Sequence, residues 1–149
     1  MANECIPVYE PGGTPTGHCA VAVTGKRCLK VSGEPTSTLL GLSATAEGGN
    51  ISVAQCTVQG ERVVGVSNRD VAAGGKVGIL GTPGLILPVT AGAAVTAGQE
   101  VMTDNQGRVI PYAAGAGVFA VGLCIQGQST VGQDAVVKFY GAPVRGAGA

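Results

Sequence analysis

AGAAVTAGQEVMTDNQGRVIP, residues 91–111, decides the fold of this chain. Val95 and Val101 are apolar steps separated by a tight Ala97–Gly98–Gln99–Glu100 turn. Asp104–Asn105–Gln106–Gly107 reads as a hairpin turn: the Asx side chains bond their own backbone, and Gly107 takes a positive φ without a Cβ clash. Val109 and Ile110 then return the chain. Short apolar steps joined by glycine turns predict the corner of a small β-barrel.

The same grammar extends in both directions. VFAVGLCI (118–125) and AVVKFY (135–140) read as strands on the C-terminal side. Toward the N-terminus come GLILPV (84–89), KVGILG (76–81), ERVVGVS (61–67) and ISVAQCTV (51–58). Pro88 lacks a backbone donor, which assigns the end of its strand to a sheet edge. Cys19, Val21 and Val23 fall on one face by strand alternation, and Cys28–Val31 resumes the extended character. Residues 36–50 read two ways: Leu39, Leu40 and Leu42 suit a short helix, whereas Gly41, Gly48 and Gly49 suit a loop. One internal echo stands out. Residues 63–81 resemble residues 121–141, each a strand with an internal glycine, a polar loop and a second strand. This predicts two hairpins of similar build rather than a solenoid, which needs more copies at a regular period.

About eight to ten short strands with small turns define an all-β barrel or sandwich. Its strand-rich core is placed at 19–141. Residues 1–18 carry Pro7, Pro11 and Pro15, which forbid a helix, and read as an extended N-terminal arm. Residues 142–149 read as a Gly/Ala tail that frays.

Composition bounds the function. Among 149 residues, 26 are Gly and 20 Ala; charged residues reach 12% and the net charge is zero. Five aromatics and no Trp leave the core to Val, Ile, Leu and Ala. No basic stripe points to nucleic acid, and no apolar stretch is long enough for a membrane helix. Cys5, Cys19, Cys28, Cys56 and Cys124 lack CxxC spacing and read as small buried hydrophobes in a reducing compartment. His18 is the sole histidine. No serine lies in a nucleophile elbow, no carboxylates fall in a paired pattern, and Gly74–Gly75–Lys76 lacks the remainder of a phosphate loop. The sequence predicts no enzyme, cofactor or metal site. The candidate contact residues are Ile6, Val8, Tyr9 and Pro11 in the arm, together with His18, Lys26 and Arg27. Lys26, Arg27 and Lys30 form a basic cluster that suits either an acidic protein patch or solvated strand ends.

The opening CIPVYEPGGTPTGHCAVAVTGKR resembles that of the small decoration (cement, or auxiliary head) proteins of tailed bacteriophages. GGNISVAQC, GVSNRDVAAGGKVGILG, PVTAGAAVTAGQEVMTDNQGRVIP and AVGLCIQGQSTVGQDAVVKFYG extend the likeness over residues 4–141. The resemblance implies a structural protein on the outer surface of the mature phage head. Its partner would be the major capsid protein, bound as a homotrimer at threefold and quasi-threefold positions by an arm that crosses subunit boundaries. The benefit would be resistance to internal DNA pressure. Another virion β module, of tail or head, is the alternative; a small-ligand binder or hydrolase stands further off.

Overall fold

The computed structural model describes Cys5, residues 14–34 and residues 51–145, with side chains through Gly141. The described residues hold ten strands and no helix. They are β1 (Thr16–Cys19), β2 (Cys28–Val31), β3 (Ile51–Gln55), β4 (Gly65–Ser67) and β5 (Lys76–Leu80), then β6 (Ile86–Thr90), β7 (Glu100–Thr103), β8 (Val109–Pro111), β9 (Phe119–Gln126) and β10 (Asp134–Arg145). The first five close into a barrel in the order β1-β3-β2-β4-β5; the second five form one sheet in the order β6-β10-β9-β7-β8. The all-β expectation holds, and β6, which carries Pro88, is an edge strand of its sheet.

The deciding stretch forms the expected hairpin, but at the edge of the second sheet rather than at a corner of the closed barrel. β7 and β8 pair antiparallel with Thr103 opposite Val109. Asp104 fixes the turn between them: its Oδ1 accepts from the N–H groups of Gln106 and Arg108, both at 2.8 Å. Its Oδ2 takes the Arg108 guanidinium at 2.8 and 2.7 Å.

Three sequence readings shift. Val21 is 66% exposed while Cys19 and Val23 are buried, because β1 ends at Cys19 and the chain bends at residues 20–21. β1 opens at Thr16, so residues 16–18, read as the end of the arm, lie in the barrel: Gly17 and His18 sit opposite Ile51 and Ser52 on one side and Val77 and Lys76 on the other. β10 continues to Arg145, beyond the start of the expected tail. The helix-or-loop segment 36–50 lies outside the described residues.

The two five-stranded units are one module built twice. Leu29 faces Gln55 and Gly65, as Val101 faces Pro111 and Gly122. Val66 faces Leu80 and Ser67 faces Ile79, as Leu123 faces Lys138 and Cys124 faces Val137. Even the connecting bonds recur: Val23 and Val71 exchange N–H···O bonds, and so do Val95 and Gln128. The 63–81 and 121–141 echo is thus a fragment of a whole-module correspondence.

The copies differ at one seam. In the first, β1 pairs with β3 over three residues; in the second, the equivalent contact is the single bridge Ala91↔Val109. The first module lies along that opening. Thr90 N–H donates to the Lys26 carbonyl at 3.1 Å, and Cys28 N–H donates to the Gly107 carbonyl at 2.7 Å.

The core follows the same plan. Cys19, Val23, Leu29, Val53, Val77 and Ile79 fill the barrel. The larger cluster joins the interior of the second module to Cys28, Cys56, Val66 and Leu80 on the outside of the first. Fully burying one Val or Leu side chain contributes about 1.5–3 kcal/mol, so this shared cluster binds the modules into one body.

Candidate partner-contact surface

Ile6, Val8, Tyr9 and Pro11 lie outside the described residues. Their described flanks are Cys5 and Thr14. Cys5 is buried between the modules; its N–H bonds the Asn68 carbonyl and its thiol the Pro88 carbonyl. Thr14 stands exposed beside the barrel.

The structure separates the three remaining candidates. His18 is half-buried on β1, and its Nδ1 is buried without a hydrogen-bond partner. Lys26 takes a left-handed backbone (φ 60°), and its Nζ reaches Asp134 at 2.7 Å. Arg27 is half-buried beside Arg108 and Asp104; burial, and then the like charge of Arg108, push its pKa down. Lys30 turns away to Glu61 at 3.0 Å and Thr57 at 2.7 Å. The basic cluster of the sequence is therefore dispersed. The turn at Lys26 and the alternation of β2 send the three cations to three places, two of them ion pairs within the chain.

Sequence reasoning missed an apolar groove on the first module. Two hollows of about 400 and 640 Å³ adjoin at Val31 and Val64, and a third of about 240 Å³ continues past Ile51. Val31 is 57% exposed, and Ile51 and Val64 are half-buried. Lys30, Glu34, Glu61 and Arg62 stand around it. The Arg62 guanidinium stacks 4.9 Å from the centroid of Phe119 in the second module, a cation–π contact. The available sequence signal was the unbroken Val63–Val64 pair, which places apolar groups on both faces of one extended segment.

All five cysteines are free and buried. Burial pushes the thiols of Cys5 and Cys28 up to about 12 and that of Cys56 higher still. A thiol held protonated in this way is a poor nucleophile and metal ligand. Among the described residues no three His, Cys, Asp or Glu groups converge to hold a metal ion. The surface offers shape, apolar area and dispersed charge rather than reactive groups.

The twice-built β module thus carries five buried thiols and, on its first copy, an apolar groove. The family model described as phage cement protein matches residues 36–139. The chain belongs to the phage cement protein family and is a structural, head-associated protein of the phage particle. Among solved structures it is similar to the N-terminal base of the head fiber protein gp8.5 of bacteriophage phi29. The TM-score is 0.64 at 16% identity, over 90% of this chain and 98% of that one. No curated protein matches the chain.

Proposed function

We propose that this protein decorates the outer surface of the mature phage head. There it binds the major capsid protein as a homotrimer at threefold and quasi-threefold positions and braces the shell against internal DNA pressure. The observation that carries this reading is the family match over residues 36–139, which hold β3 to β9 and the first half of β10. Three features support it physically. The apolar groove is ringed by charges of both signs, the pattern of an interface centre and its rim. In the N-terminal arm, residues 1–18, Pro7, Pro11 and Pro15 lower the backbone freedom lost on ordering against a partner, and Ile6, Val8 and Tyr9 would be its anchors. Three such segments on one trimer would bind with avidity.

The placement of Cys5 and β1 shapes the test, since removing residues 2–17 would cut into the core and the barrel. The triple variant Ile6→Ser, Val8→Ser, Tyr9→Ser keeps Cys5 and every residue of β1. Co-sedimentation with expanded heads lacking the protein should show wild-type binding and loss of binding by the variant, at unchanged circular dichroism. Equal binding by both proteins would remove the segment from the interface, and failure of the wild type to bind heads would overturn the reading.

A further inference from the structure

The contact between the two modules uses two surfaces, and each has a counterpart in the other module. The first module offers an outward row, Cys28–Val66–Leu80, set by the ladder of β2, β4 and β5. All three are buried by the second module. The same ladder in the second module sets the row Glu100–Leu123–Lys138. Glu100 and Lys138 are exposed, and Leu123 is half-buried. One copy of the docking face is therefore occupied within the chain, and its duplicate faces solvent.

The receiving side is duplicated as well. In the second module it is marked by Thr103, Gly107 and Phe119. The Thr103 carbonyl accepts from Gly60 N–H at 2.8 Å, the Gly107 carbonyl from Cys28 N–H at 2.7 Å, and Phe119 N–H donates to the Gly60 carbonyl at 2.9 Å. Counted along the matched ladders, their counterparts in the first module are Val31, Ile51 and Arg62. These residues line the open groove with Val64. Among the described residues nothing fills this groove, the duplicate of a site that the chain fills once by itself.

We infer that the groove of one copy receives the Glu100–Leu123–Lys138 face of a second copy, repeating between chains the head-to-tail contact within each chain. The chemistry of the two surfaces agrees. Leu123 meets the apolar centre at Val31, Ile51 and Val64, while Glu100 and Lys138 meet a rim carrying Lys30, Arg62, Glu34 and Glu61. Polar residues where the buried row has Cys28 and Leu80 keep the face soluble before assembly, as a non-obligate interface requires. Such a contact joins different surfaces, so it closes only as a ring. This rests on the homo-oligomer reading above and specifies how the copies meet.

Sedimentation of the full chain tests it with two surface variants, Val31→Asp in the groove and Leu123→Asp on the face. Lys138→Glu is the second face variant should Leu123→Asp unfold. The wild type should sediment as a closed oligomer and each variant as a monomer with an unchanged β spectrum. An equimolar mixture of a groove variant and a face variant should give a dimer, because each retains the surface the other has lost. Wild-type oligomers unaffected by either variant would overturn the head-to-tail contact and leave the homo-oligomer reading standing. Dissociation without a dimer in the mixture would point to like surfaces meeting and would also overturn it. A monomeric wild type would overturn both readings.

Discussion

Lys26 and Gly98 occupy the same position in the two modules. Both hold a left-handed backbone, at φ 60° and 85°. Both donate their N–H to the strand beyond: Lys26 to the Ser67 carbonyl at 3.0 Å, Gly98 to the Cys124 carbonyl at 2.8 Å. The turn geometry is thus imposed by the module, and only one copy meets it with glycine.

Gly98→Ala isolates the backbone part of that requirement, because a Cβ there meets nothing within 4 Å. A stability loss of about 1 kcal/mol is expected from the left-handed conformation alone. At Gly122 an added Cβ would collide with the Lys138 carbonyl oxygen, and at Gly65 it would lie 2.6 Å from the Ile79 methyl and 3.0 Å from the Leu80 oxygen. Urea denaturation should therefore rank Gly122→Ala as the most damaging, Gly65→Ala next and Gly98→Ala least.

The shared core predicts one unfolding event. Leu80 is 3% exposed and packs on the second module from the first. Leu80→Ala should cost about 2–5 kcal/mol, the range for truncating a buried leucine. Calorimetry should show a single transition moved to lower temperature. Two separated transitions would mean that the modules unfold independently.

Asp104 satisfies two turn amides and one guanidinium with a side chain only 9% exposed. Asp104→Ala strands those donors and should cost about 2–3 kcal/mol, the scale of bonds to a charged acceptor. Asp104→Asn, which keeps an acceptor for the amides, should recover part of it in the same melting experiment.

Alkaline pH should weaken the fold through the thiols. In the unfolded chain they ionise near the ordinary value of 9.0, whereas burial holds the folded Cys28 thiol to about 12. Above pH 9 the unfolded state therefore binds fewer protons than the folded one, so stability falls as pH rises from about 9 to about 12. Chemical melts across that range should show the decline. Replacing both Cys28 and Cys56 by Ala should make it shallower, at the separate expense of lost packing, and leave the share of Cys5, whose thiol burial also pushes up to about 12.

The turn at 104–107 and the flanking strands were legible because every signal there was local: an Asx, a glycine and valines at the right steps. Pro88 likewise marked an edge strand by chemistry alone. The duplication was visible only as the 63–81 and 121–141 echo. Gly17 and Val89, or Cys19 and Ala91, hold matching ladder positions with no shared identity, and the long connection 32–50 stands where the second module has the short turn 104–108. The groove was hidden for a related reason. Val31, Ile51, Arg62 and Val64 are brought together by strand pairing and carry no common spacing. Lys26, Arg27 and Lys30 show the converse, since neighbours in sequence were parted by a turn.

The unequal seams also set a direction for synthesis. The first barrel closes through its own β1–β3 pairing, so its ladders can start to form while the rest of the chain is still in the ribosome, with its outer row covered only once the second sheet arrives. The second sheet lacks that closure and finishes its interior against Cys28, Val66 and Leu80, which by then are already in place. N-terminal segments fold first during translation, and here the first-made half is a mould for the second. A circular permutant that begins at β6 reverses this order, and its nascent chain would expose the unfinished interior until the mould arrived.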